Sequence, residues 1–431
     1  MTANSNNWQD RMMQNKYLVA LQNFGKKVSR NKFVSSIMGG VQSILGIMMV
    51  SAFAQVACAA GVLMKLIEKG SPVYNAIYTP YNFCMALLSL WLCFSMGNIY
   101  AKKHELKSPV VSAMTSVISF LIITDAVQLN EAGKTFLNTS FFGGTGMITV
   151  FITVFVSINI IKFFEKRNLT FKLPKGCPEA LISSFVSLVP LLVNIIVFAV
   201  TTALFKTYTG VIFPTWIMKV LAIPFGAVTS VPGMFLICLV MAIFTCCGVQ
   251  GAMIIGPILL PMIMQSLEQN AALYNAGQPL IYFPVLLFYC FGVFGVIPLC
   301  FLGWNSKSAQ IKSVCRAGIV PAMFTVNGVV MNGLPVLYNP ILMIPYIICS
   351  LFSTLMYHFA FTLKLLTPMW IYVTGNTPLG IKEYLWSMDW RHIVFAWLLV
   401  IPAMVIYFPF FKAYENQKIQ EELNIPETAE E

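Results

Sequence analysis

Residues 181–205, LISSFVSLVPLLVNIIVFAVTTALF, run for 25 positions without one charged side chain. About 20 apolar residues in a helix cross the hydrocarbon core of a bilayer. Lipid offers no partner to a bare peptide group, so such a run enters the membrane as a helix. Comparable runs recur to the far end of the chain. Spans are expected near 34–57, 80–100, 108–127, 144–163, 180–205, 229–247, 252–266, 341–363 and 392–411. Of the 431 residues, 58% are hydrophobic and 10% charged, against about a quarter charged in a soluble domain. The fold class that follows is an all-α polytopic membrane protein. Residues 1–33 form a basic, amphipathic lead, the tail 412–431 is polar and acidic, and neither a cleaved leader nor a second soluble domain is expected.

The formal net charge of +11 would suggest nucleic acid on a soluble protein. On a membrane protein the same excess marks cytoplasmic loops. The basic stretches at the N-terminus, 101–107 and 162–175 fall on one side if each span crosses once, which puts both termini in the cytoplasm. The 11 cysteines are scattered, and Cys246-Cys247 are adjacent rather than spaced as CxxC. They read as packing residues. His104, His358 and His392 share no spacing with a cysteine or carboxylate cluster, so neither a metal nor another cofactor is expected.

The second half is less regular. FGVFGVIP (291–298) and FTVNGVVMNGLPVLYNP (324–340) put Gly, Pro and open amides inside apolar sequence. Non-helical backbone at membrane depth persists only where it is buried in protein or lines a wet cavity, and transporters build substrate sites from such segments. A substrate site is therefore expected between 282–303 and 320–340. Between Glu179 and Glu383 the only carboxylate is Glu268, read as part of a polar loop, QSLEQNAALYNAGQP. That leaves no intramembrane acid relay of the kind that couples protons to transport. The polar groups of the broken segments are neutral: Gln250, Thr325, Asn327, Asn332 and Asn339, with Asn270 in the preceding loop. Amides donate and accept together, which suits the hydroxyls of a neutral sugar; capping of hairpin backbone is the competing role. Trp304, Tyr338 and Trp370 can stack on a sugar ring or serve as ordinary core and interface aromatics.

Five stretches in order resemble one family: NLTFKLPKGCPEALISSFVSLVP, QNAALYNAGQP, KSAQIKSVCRAGIVPAMF, GLPVLYNPILMIPYI and MDWRHIVFAWLLVIPAMVIYFPFFKAYENQ. Together they resemble the enzyme IIC membrane component of the sugar phosphotransferase system, in its lactose/cellobiose/diacetylchitobiose branch. The resemblance implies about ten transmembrane helices plus two re-entrant hairpins in a homodimer of the bacterial cytoplasmic membrane. It further implies a dimerisation domain over 34–225 and a transport domain over 226–411. A neutral sugar, such as the β-linked disaccharide cellobiose, would be phosphorylated by a separate enzyme IIB charged by enzyme IIA.

The sequence departs from the family where the family does its work. A histidine is replaced by Gln250, a glutamate after asparagine by Gly328, a Gly-Gly-Ser-Gly tip by Gly292-Val293-Phe294-Gly295, and a phenylalanine by Asn332. Neither Gln250 nor Gly328 can act as a general base, a role worth about 10²–10⁴ in rate. No catalytic residue is therefore assigned, and the expected sugar contacts are Gln250, Asn327, Asn332, Asn270 and Asn339. A relative that moves or senses sugar without phosphorylation is the alternative reading.

Overall fold

A computed structural model describes residue 27 and residues 30–129, 133–169, 179–248, 250–334, 336–337, 339–373 and 377–423. Most of the basic lead, residues 170–178, Tyr338 and the last residues of the tail lie outside that set. The described residues fold mainly as helix, and the chain divides into two compact units, Ser29–Ala227 with Pro257–Ala276, and Val228–Gly256 with Gly277–Glu431. Six helical stretches among the described residues are long and apolar enough to cross a membrane: Leu45–Leu63, Pro72–Lys103, Gly144–Lys166, Ser187–Thr209, Ile341–Thr362 and Arg391–Leu423. A seventh arises if Phe213–Thr229 and Val231–Cys246 count as one broken span.

In the first unit, the span expected at 34–57 is two helices. Lys32–Ser43 is capped by Asn31, whose Oδ1 accepts from the backbone nitrogens of Phe33 and Val34 at 2.9 and 3.3 Å. Such a cap contributes about 1 kcal/mol. After a break at Ile44 the chain continues as Leu45–Leu63. Small residues let the helices close up, as expected where lipid supplies no hydrophobic drive between them. A Cβ on Gly40 would meet Met96 at 3.0 Å, and one on Gly97 would meet Ala113 at 3.2 Å. Helix Pro109–Ile123 ends at Asp125, which has φ +52 and pairs with Lys206 at 2.6 Å. A short antiparallel hairpin, Val127–Leu129 with Thr135–Leu137, follows.

One expectation is corrected in this unit. The stretch QSLEQNAALYNAGQP is not a loop over most of its length, because helix Gly251–Asn275 runs through it. No Gly or Pro interrupts 262–276, and Gly277 with φ +70 ends the helix in the left-handed conformation usual for a C-terminal glycine. Glu268 accordingly lies on that helix, where Oε2 accepts from the Gly144 backbone nitrogen at 2.9 Å.

The second unit carries the broken segments. Helices Val231–Cys246, Ala309–Met323, Pro340–Thr362 and Val400–Leu423 frame shorter pieces at Ile297–Gly303, Gly328–Gly333 and Ile381–Ser387. The polar, acidic stretch that begins at Lys412 is helical to Leu423, and two of its carboxylates are engaged. Glu415 Oε1 accepts from Ser306 Oγ at 2.5 Å and from the Lys307 nitrogen at 3.2 Å. Glu422 accepts from Ser308 Oγ at 2.6 Å and from the Ala309 and Gln310 nitrogens, both at 3.1 Å. Glu422 thus satisfies two otherwise orphaned N–H groups at the start of helix Ala309–Met323, where negative charge also suits the helix dipole, and Glu415 holds the turn that leads into it.

Candidate functional site

The sequence FGVFGVIP folds as a tight hairpin because its two glycines accept backbone angles that other residues resist. Gly292 has φ +56 and Gly295 φ +54. The Gly295 nitrogen donates to the Gly292 carbonyl at 2.8 Å. Ser353, from helix Pro340–Thr362, holds the other side: Oγ accepts from the Gly292 nitrogen at 2.9 Å and donates to the Cys290 carbonyl at 2.9 Å. Opposite, helix Ala309–Met323 ends and Thr325 turns the chain with φ +62. Asn327 follows, its Oδ1 lying 3.4 Å from the Val296 nitrogen. A Cβ on Gly295 would collide with that same oxygen.

Between these pieces lies a cavity of about 450 Å³, lined by Tyr289, residues 291–295, Ala322, Thr325, Asn327 and Lys382. Its volume is within the usual range for a small-molecule site. Hairpin peptide, the hydroxyl-bearing Tyr289 and Thr325, one amide and one cation line it, and no carboxylate is among the lining residues. The two segments singled out by their Gly and Pro content do therefore come together around one polar chamber.

The five expected amides are not gathered there as a set. Asn327 is in the lining. Gln250 is exposed in the break between helices Val231–Cys246 and Gly251–Asn275, and Asn332 is exposed on the short helix Gly328–Gly333. Asn339 is buried and caps helix Pro340–Thr362, Oδ1 accepting from the Ile341 nitrogen at 3.0 Å, while its Nδ2 meets no partner among the described residues. Asn270 is fully buried within the first unit. Trp370 is buried, its Nε1 donating to the Ser387 carbonyl at 3.3 Å. Trp304 is partly exposed beneath Arg316.

Lys382 was not expected. It sits on the turn of helix Ile381–Ser387, which is pinned on three sides. Glu383 Oε2 accepts from the Gly380 nitrogen at 2.6 Å, and the Trp370 and Ile371 nitrogens donate to the Trp386 carbonyl at 2.9 and 3.1 Å. The Leu379 nitrogen donates to the Met323 carbonyl at 2.9 Å, tying this turn to the end of the helix that leads to Thr325. Glu383 is fully buried; burial pushes its carboxyl up, opposed by Lys382 and by backbone N–H groups. Just beyond, Asp389 is also buried. Burial alone would raise its carboxyl, but hydrogen bonds from Arg391 and Thr367 outweigh it and hold the group at about 2.

Comparison with known proteins now decides the family. The family model described as "Phosphotransferase system, EIIC" matches residues 34–350. The chain belongs to that family. This EIIC is 29% identical, over 95% of its length and 72% of the relative's, to the lactose-specific EIICB component of Lacticaseibacillus casei. It is 28% identical to the corresponding component of Staphylococcus haemolyticus (strain JCSC1435), over 93% and 70% of the two chains. Its fold matches the crystal structure of the transporter ChbC, the IIC component of an N,N'-diacetylchitobiose-specific phosphotransferase system. The TM-score is 0.85 at 22% identity, covering 94% of this chain and 98% of that one. The EIIC is thus a multi-pass sugar permease component of the cytoplasmic membrane.

Proposed function

We propose that this EIIC binds a neutral disaccharide in the 450 Å³ cavity between the Gly292–Gly295 hairpin and the Thr325–Asn327 turn, and carries it inward for phosphorylation by enzyme IIB, itself charged by enzyme IIA. The observation that carries the reading is the convergence of the two broken segments on one polar chamber with Asn327 in its wall. Asn327 and Thr325 offer donors and acceptors to hydroxyls. The relatives named for lactose and the fold match named for diacetylchitobiose support a disaccharide; cellobiose belongs to the same size class. The reading includes a homodimer of about ten spans and two re-entrant hairpins per chain, a dimerisation domain over 34–225 and cytoplasmic termini.

The test is a thermal-shift screen of the purified protein against lactose, cellobiose and N,N'-diacetylchitobiose, followed by sugar-phosphate formation in vesicles supplied with phosphorylated enzyme IIB. A ligand stabilises the folded form by RT ln(1 + [L]/Kd), so weak binders register at high concentration. No shift with any disaccharide would defeat the proposal.

A second reading has its own observation. Gly328 stands where the family resemblance expects glutamate, and no carboxylate lines the cavity. A permease that exchanges sugar without phosphorylating it is what remains if the first assay shows binding and the second shows no product.

A further inference from the structure

The cavity wall includes one charged side chain, Lys382. A neutral sugar carries no charge for that ammonium to pair with, although the three N–H groups of the lysine can donate to hydroxyls. Lys382 belongs to none of the ion pairs among the described residues. The neighbouring acid, Glu383, is fully buried, and its Oε2 is engaged by the Gly380 nitrogen at 2.6 Å. The Lys382 amine lies 5.6 Å from the centroid of the Trp386 ring, a buried indole that gives the ammonium a partial partner without neutralising it.

The mount is also rigid. Gly380 has φ +90, and a Cβ there would meet Ile393 at 3.1 Å and Trp397 Nε1 at 3.2 Å. With the Trp386 carbonyl receiving two backbone bonds, the helix that bears Lys382 is fixed, and only the lysine's own side-chain torsions move the ammonium. Glu383 eases this charge electrostatically from the adjacent position but forms no ion pair with it among the described residues, so the half-buried ammonium still attracts an anion that enters the polar chamber. Hydroxyl and amide groups on the facing wall, at Thr325 and Asn327, complete a site with a neutral half and a cationic half.

We propose that Lys382 is the anion-binding residue of this cavity, and that its ligand is the phosphoryl group of a phosphate monoester, the chemistry carried by a phosphorylated sugar. This rests on the permease reading for the identity of the ester, though not for the presence of an anion site. A strongly hydrated point charge of this kind is a common phosphate partner. No positioned carboxylate opposes it within the lining, so a dianion meets attraction rather than repulsion.

The experiment measures apparent melting temperature of purified wild-type protein and of Lys382→Gln and Lys382→Arg during titration with inorganic phosphate, with sodium chloride at matched ionic strength as control. Glucose 6-phosphate and galactose 6-phosphate, each against its parent sugar, form a second arm. Wild type is expected to be stabilised by phosphate beyond the chloride control, K382Q to lose at least tenfold in phosphate affinity, and K382R to stay within about threefold. Tighter binding of the sugar esters than of inorganic phosphate identifies the sugar-borne group as ligand; equal affinity identifies a phosphoryl group presented by the partner protein. Equal phosphate shifts in wild type and K382Q, or a wild-type shift no larger than chloride gives, overturn the proposal. Disaccharide binding is measured on the same three proteins. Its failure in wild type would defeat the permease reading while leaving the phosphate result to stand alone; because Lys382 also lines the sugar cavity, the ligand-free melting temperature is the folding control, and a K382Q protein that melts well below wild type without ligand would show a structural role instead.

Discussion

The Oδ1 atom of Asn327 lies 3.4 Å from the backbone nitrogen of Val296, linking two broken segments 31 residues apart in sequence. The side chain therefore has two tasks, to steady the glycine hairpin and to present its amide to the chamber. Replacing it with leucine removes both. Asn327→Leu is expected to weaken disaccharide binding by about 1–3 kcal/mol, roughly 5- to 150-fold, with helix content and membrane insertion intact. Ligand titration by thermal shift, with circular dichroism as the folding control, measures both.

The hairpin glycines make a matched set of tests. Gly295→Ala forces an unfavourable φ and drives a methyl into Asn327, so both stability and sugar affinity are expected to fall. Gly292→Ala carries the same backbone strain but meets only Ser350 Oγ at 3.2 Å, so its effect is expected to be smaller. Apparent melting temperatures should fall in the order wild type, Gly292→Ala, Gly295→Ala.

Gly328 differs from these two. A Cβ there meets nothing within 4 Å, and the residue opens the short helix Gly328–Gly333. Gly328→Ala is expected to be tolerated, with any gain limited to about 0.4–1 kcal/mol through the unfolded chain. The open space also admits a longer side chain. If the phosphorylation step has weakened for lack of a carboxylate, Gly328→Glu is expected to raise sugar-phosphate formation by phosphorylated enzyme IIB, measured in vesicles, while leaving sugar affinity nearly unchanged.

Asp389 sets an acid limit. Its carboxyl is held at about 2, below the ordinary value of 3.8, through Arg391 and Thr367. A depressed carboxyl stabilises the folded state at pH values above its ordinary one, and that contribution is lost as pH falls through the folded value. The melting-temperature difference between wild type and Asp389→Asn is expected to be constant from pH 7 to about 4 and to close as pH approaches 2. A difference that stays constant to pH 2 would mean that the pairing with Arg391 does not carry it.

Hydropathy made the helices legible because lipid leaves a backbone no alternative, and Gly and Pro made the two broken segments legible for the same reason. Two polar stretches were harder. Residues 265–275 look like a loop until Glu268 is seen to turn inward onto the Gly144 nitrogen, and residues 412–423 look like a polar tail until Glu422 is seen to cap another helix and Glu415 to hold the turn before it. In each, the acid's partner lies more than 100 residues away, and hydropathy cannot distinguish a solvated carboxylate from one that accepts from peptide. Asn327 was visible as an amide in broken backbone. Lys382 was not, because its surroundings at 291–295 and 325–327 are distant in sequence and GIKEY carries no pattern that announces a wall of the chamber.

The capping of helix Ala309–Met323 by the terminal helix has a mechanical consequence. One end of that fifteen-residue strut is bolted by Glu415 and Glu422, and the other runs directly into Thr325 and Asn327. The Thr325–Asn327 wall of the chamber thus takes its bearing from the last turns of Val400–Leu423, so a twist applied there would tilt the Asn327 amide within that wall.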